Sequence, residues 1–144
     1  MTTVEKITDL RDLDAAFTIR EKVFVGEQNV PADAEYDAHD RAGTTRHYLA
    51  RVAGQPAGAA RWRPTPNGVK LERFAVLPEF RNQRVGEALV HRVLADVRAE
   101  APEAVQVYLH AQLRAVPLYE RTGFHKVGEK FEECDIQHYK MVLG

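Results

Sequence analysis

Between a proline-led polar turn and an amphipathic helix, the run Gln83-Arg84-Val85-Gly86-Glu87-Ala88 puts a glycine and an alanine into what should be the first helical turn. Glycine there costs roughly 1 kcal/mol of helix propensity against alanine, so its presence needs a reason. One reason is chemical. The first four N–H groups of a helix lack intrahelical acceptors, and the macrodipole adds about half a positive charge at that end. Glycine lets an anion approach this backbone without a Cβ in the way, so strand, tight turn and helix start together make a phosphate cradle. The other reason is steric: a glycine lets helix and sheet pack closely. The local pattern leaves both open. It does exclude two nucleotide cradles. No Lys-Ser/Thr pair follows Gly86 as a P-loop requires, and a single glycine does not make the Rossmann fingerprint.

Other chemistry-bearing residues give weaker patterns. Asp33, Glu35, Asp37 and Asp40 space like the opening of a calcium loop, but Ala38 and Thr44 stand where an EF-hand needs glycine and glutamate. The stretch reads instead as a solvated acidic loop, or as an acidic rim that would attract a cationic amine. His39, His47, His91, His110, His125 and His138 form no metal-binding spacing, so no metal is expected. Cys134, the single cysteine, follows Glu132-Glu133, which disfavour a thiolate. It can form no intrachain disulfide, which suits a reducing compartment. A net charge of -1 argues against the broad basic field of a non-specific nucleic-acid binder. No stretch approaches the ~20 apolar residues of a membrane span, and the N-terminus lacks a signal-peptide core. The expectation is one cytoplasmic domain, residues 1–144, with neither nucleic acid nor membrane as partner.

The elements that must position these residues follow from periodicity. Val4 to Ile7 alternates like a short strand. Asp9 can cap a helix carrying Leu10, Leu13, Ala16, Phe17 and Phe24, which must stop by Val30-Pro31. His47–Val52 and Ala57–Arg63 read as a hairpin around Gly54-Gln55-Pro56. Asn67-Gly68 turns into a third strand, Val69–Val76. Gly86–Glu100 is an amphipathic helix with Leu89, Val90, Val93, Leu94 and Val97 on one face. Val105–Leu109 is a strand, Arg114–Arg121 a helix ended by Gly123, and Phe124–Lys130 and Ile136–Val142 two closing strands. The order βα-βββ-αβ-αββ predicts an α/β fold: a mixed, mostly antiparallel sheet flanked by helices.

The stretch LERFAVLPEFRNQRVGEAL, residues 71–89, closely resembles the acetyl-CoA motif of the GNAT superfamily of N-acetyltransferases. In the pattern Q/R-x-x-G-x-G/A, the three fixed positions are filled by Gln83, Gly86 and Ala88. AVPLYERTGF, residues 115–124, resembles the family's second element, A-x-x-L-Y-x-x-x-G-F. With IREKVFVGEQNVP, AEYDAHD and the ending IQHYKMVL, the resemblance covers nearly the whole chain. It is similar to a bacterial branch of mostly uncharacterised acetyltransferases, the YjcF/ElaA-like group. One position departs: where many relatives have asparagine seven residues before the tyrosine, Gln112 carries the same amide on a longer arm.

The resemblance implies a sheet that splays between its fourth and fifth strands to admit acetyl-CoA, and direct acetyl transfer to an amine of a small molecule or a peptide. By that analogy the backbone of Phe74, Ala75 and Val76 pairs with the pantetheine arm. Gln83, Arg84, Val85, Gly86, Glu87 and Ala88 hold the pyrophosphate, and Gln112 contacts the cofactor. Tyr119 falls where the family's tyrosine lies beside the CoA sulfur, and a phenol suits protonation of a leaving thiolate. An amine with a lysine-like pKa of ~10.4 is only about a thousandth neutral at pH 7, so a base or a water chain to one is useful. Glu72, Glu27 and His110 are the candidates, and each has a structural reading beside it: a solvated strand residue, a solvent-facing helix residue and a strand-end hydrogen-bonder. The same resemblance carries the expectation of a homodimer. The alternative function is a non-catalytic acyl-CoA sensor or interaction module using the same cradle.

Overall fold

Asp9 starts the first helix as its spacing suggested: its backbone is extended, and its side chain accepts from the Asp12 N–H at 2.8 Å. In the computed structural model, which describes residues 1–144, this helix (α1, Leu10–Arg20) runs straight into a π-helical stretch, Glu21–Glu27. Both end before Pro31, which opens a single turn, α2 (Ala32–Glu35).

Four strands, β1 (Thr2–Lys6), β2 (Arg46–Val52), β3 (Gln55–Thr65) and β4 (Gly68–Val76), pair in an antiparallel meander. Helix α3 (Val85–Glu100) then crosses over to β5 (Val107–Gln112), which lies parallel to β4. Helix α4 (Val116–Arg121) leads into a hairpin of β6 (Phe124–Glu133) and β7 (Ile136–Leu143), and β7 rather than β6 adjoins β5. The strand order β1-β2-β3-β4-β5-β7-β6 is the expected mixed, mostly antiparallel sheet. No helix is long and apolar enough to cross a membrane.

One face of the sheet is covered by α3, whose Leu89, Val90, Val93, Leu94 and Val97 are buried against Tyr48, Leu71 and Leu109. Each such side chain stabilises the fold by about 1.5–3 kcal/mol. The other face is covered by α1 and its π-helical extension, through Ala16, Ile19, Val23 and Phe24 on Leu49, Ala59 and Ala75.

Two expectations are corrected. The fifth strand begins at Val107, not Val105, which is 83% exposed. Pairing starts only where Val107 meets Val69, and β7 then carries the strand on to Gln112, so His110 lies inside it. The acidic stretch is solvated only in part: Asp33 is exposed and Asp37 half-buried. Glu35 and Asp40 are buried, and two fully buried arginines are the reason. Arg20 bonds Glu35 and Asp40 at 2.7 Å each, while Arg61 bonds Asp40 at 2.7 Å and Asp37 at 2.9 Å. Charges out of water must be paired, so the acids fold inward.

Candidate active site

The site is made by two strands that part. β4 and β5 are paired through only three residues each, ending at Leu71↔Leu109. Just beyond, β4 carries a bulge: Arg73 has φ 60°, and the register with β3 slips one residue between Glu72↔Arg61 and Ala75↔Ala59. A bulge bends a strand and tightens its twist. From Glu72 onward β4 is paired on one edge only, and a cleft of about 620 Å³ opens beside Phe74, Ala75 and Val76. Val76 gives its carbonyl to Arg81 Nε at 3.0 Å.

Helix α4 supplies the wall facing these residues, and Leu118 and Tyr119 line the cleft. The Tyr119 ring is held edge-on by Phe74 (6.0 Å) and Phe124 (5.9 Å). Burial pushes its hydroxyl pKa up, and no charge or hydrogen bond contributes to the shift. Tyr119 therefore keeps its proton well above neutral pH.

The lining reaches Arg81 and Asn82 and stops short of Gln83–Ala88. Arg84 caps α3 in the left-handed conformation, with no side chain closing the helix end, and Ala88 N–H returns to its carbonyl at 3.0 Å. The N–H groups of Val85, Gly86 and Glu87 are left without intrahelical acceptors. A Cβ on Gly86 would sit 3.2 Å from Leu118 Cδ2 and 3.9 Å from Val76 Cγ2, so close packing of α3 on the cleft wall is one role of this glycine. The Glu87 carboxylate approaches Arg84 at 3.8 Å and Arg121 at 3.5 Å, and the Gln83 amide reaches the Glu79 carbonyl at 3.4 Å.

The two carboxylates considered as bases are both engaged. Glu72 lines the cleft, yet its side chain is buried against Arg63 (2.7 Å), Arg61 (2.9 Å) and Lys70 (3.3 Å). Burial alone would raise its pKa; the hydrogen bond from Arg63 and the charges of Arg61 and Lys70 overcome that and bring it to about 2. A carboxylate so held is a weak base. Glu27, at the end of the π-helical stretch, makes two 2.7 Å bonds to Arg81, which hold its carboxyl below the usual range. Gln112 spends its amide on Gln28 Oε1 at 2.8 Å, joining β5 to the first helical segment across the cleft. His110 lines the same cleft and bonds Glu133 at 2.9 Å. Sequence reading did not pick out Glu133, nor the pairing of Arg20 and Arg61. Arginines set inside the apolar runs FTIR and AARW were the available signal for the latter.

Comparison with known proteins agrees with this geometry. The acetyltransferase (GNAT) domain family matches residues 9–144. The uncharacterized N-acetyltransferase YjcF of Bacillus subtilis is 37% identical over 90% of this chain and 91% of its own. The protein ElaA of Escherichia coli is 31% identical over 90% of this chain and 85% of its own. Its crystal structure superposes over 100% of both chains with a TM-score of 0.89 at 28% identity. An acyl-CoA N-acyltransferase from Pseudomonas aeruginosa gives a TM-score of 0.86 at 31% identity, over 100% of this chain and 99% of that one. With family, fold and forked sheet in agreement, the chain belongs to the GNAT acetyltransferase family, among proteins similar to YjcF and ElaA.

Proposed function

We propose that this chain moves an acetyl group directly from acetyl-CoA to an amine of a small molecule or a peptide, in the cytoplasm. The observation that carries the reading is the fork: β4 leaves β5 after Leu71, and the cleft beyond has Phe74–Val76 along one wall and Tyr119 on the other. The one-sided edge of β4 suits amide pairing with an extended pantetheine arm. The uncapped start of α3 suits a pyrophosphate, with Gln83, Arg84 and Gly86 in the turn beside it. A thiolate leaving group, with a pKa near ~8.5, needs a proton at neutral pH, and Tyr119 is a buried phenol beside the fork that retains one.

A second reading, acyl-CoA binding without transfer, gains support from the ion pairing of both Glu27 and Glu72. Calorimetric titration with acetyl-CoA, with acetate and adenosine as controls, followed by assay of CoA thiol release on adding primary amines, separates the two. Micromolar binding with amine-dependent release supports transfer. Binding with no release from any amine favours the second reading, and no binding at all removes both.

A further inference from the structure

We propose that His110 is the base that takes the proton from the acceptor amine, with Glu133 as its positioning residue; this rests on the acetyl-transfer reading above. The sheet itself puts His110 in place. Leu71 and Leu109 are the last paired residues, so Glu72 and His110 are the first residues of β4 and β5 beyond the fork. Side chains alternate along a strand, and directly opposed residues share a face. Leu71 and Leu109 lie in the core under α3, so His110 projects from the opposite face, the one α1 covers. Lys140, opposite His110, and His138, opposite Gln112, share that face, and β6 adds Phe131 and Glu133 to it. Tyr119 belongs to the α3-side core. Proton donor and proton acceptor thus reach one cleft from opposite faces of the sheet.

The chemistry of the pair selects the tautomer. Glu133 Oε1 lies 2.9 Å from His110 Nδ1, and that hydrogen bond keeps the Glu133 carboxyl below its ordinary range. An ionised carboxylate only accepts, so Nδ1 carries the proton and the lone pair is left on Nε2. Nε2 has no protein partner, and the ring lines the cleft with a quarter of the side chain exposed, 26%. Phe131, edge-on at 5.0 Å, fixes the ring plane. His138 is not equivalent. Its Nδ1 bonds the Ile136 carbonyl at 2.7 Å and its Nε2 faces Glu133 Oε2 at 3.9 Å, so both nitrogens look at acceptors. The charged and titratable groups around His110 are Glu133 from β6, His138 and Lys140 from β7, Lys70 and Glu72 from β4, and Tyr108 beside it on β5.

The step balances. His110 Nε2 takes one proton from the acceptor ammonium. The freed lone pair forms the C–N bond at the thioester carbonyl, and the C–S bond breaks with its electron pair on sulfur. Sulfur takes the Tyr119 proton, and the second proton shed by the nitrogen as it becomes an amide restores Tyr119. The proton on His110 leaves through the exposed edge of the ring to water.

The test uses the whole chain with acetyl-CoA and four amines (ethanolamine, putrescine, phenethylamine and a peptide with an N-terminal alanine), following CoA thiol release. Wild-type kcat/KM should fall on the acid side with the slope of one proton. His110→Gln should lower kcat/KM at pH 7 by about 100-fold or more and replace that limb with one set by each amine's own titration, while acetyl-CoA affinity stays within about threefold. Glu133→Gln should cost about tenfold and move the limb to lower pH, because the imidazolium loses its counter-charge. Independently of turnover, the ¹⁵N shifts of His110 should show a protonated Nδ1 and a bare Nε2. An active wild-type enzyme whose His110→Gln variant keeps its rate and its acid limb overturns the role of His110 alone, as does a ring protonated at Nε2. Acetyl-CoA binding with no thiol release from any amine overturns the transfer reading, and the base with it.

Discussion

Replacing Glu72 by glutamine separates a structural carboxylate from a catalytic one. The carboxyl stands at about 2 against an ordinary 4.5, and at about 1.4 kcal/mol for each tenfold this corresponds to roughly 3 kcal/mol of stability at neutral pH. Arg61 keeps Asp37 and Asp40 in the variant, so the expected loss at pH 7 is nearer ~2 kcal/mol. The sign follows from a depressed pKa. The contribution is fully present above the unfolded value near 4.5 and disappears as pH falls through about 2. Urea unfolding should therefore separate the two proteins by a constant amount from pH 7 to about pH 5.5, and the curves should draw together below about pH 4.5 and meet only near pH 2. Under conditions where the variant is folded, its kcat for any amine that serves as substrate should lie within about threefold of wild type. If stability at pH 7 is unchanged to within ~0.5 kcal/mol while kcat collapses 100-fold and the acid limb vanishes, the ion network is irrelevant and Glu72 is the base.

Tyr119→Phe keeps both edge-on ring contacts and removes a hydroxyl whose raised pKa owes nothing to a hydrogen bond. Its unfolding midpoint should move little while kcat drops about 100-fold; an unchanged kcat removes the proton-donor role. Gly86→Ala meets the flexible end of Leu118 at 3.2 Å, so the helix gains propensity against mild crowding and stability should change by under ~1 kcal/mol. If the α3 start holds the pyrophosphate, acetyl-CoA affinity in that variant falls about tenfold by calorimetry, and equal affinity makes Gly86 a packing residue alone. Gly68→Ala is the severe case: φ is +133° and a Cβ would stand 2.3 Å from the Gln106 carbonyl oxygen, so a loss of at least ~2 kcal/mol in urea unfolding is expected.

The order of elements was readable because each has a local cause. Asp9 caps, Asn67-Gly68 turns, and α3 carries an unbroken apolar stripe. The boundaries of β5 were not readable, because its start depends on pairing with Val69 and its end on β7. Phe74, Ala75, Val76 and Tyr119 were named from motif resemblance and do meet at one cleft. The state of the carboxylates could not be read. With 21 acids and 20 arginines and lysines in the chain, nothing local assigns Arg61 to Asp37, Asp40 and Glu72. Glu133 was invisible for a topological reason. It stands on β6, one strand beyond β7, and reaches His110 of β5 across it, in a strand order that periodicity does not encode.

The ion network and the fork are two aspects of one arrangement. Beyond Leu71, β4 loses the partner that would hold it in the sheet, and an edge released beside a bulge should be loose. Glu72 and Arg73, the two residues at that point, are clamped by charge. Glu72 binds Arg61 and Arg63 of β3, while Arg73 reaches Glu35 of α2 at 3.3 Å and Asp37 just past it at 3.2 Å. The clamp fixes β4 without filling the cleft, which backbone pairing with β5 could not do. It also commits the β4 carboxylate to structure. The base proposed for this fork accordingly lies on the other strand, where His110 stands opposite β7 rather than β4 and keeps one nitrogen free of protein partners.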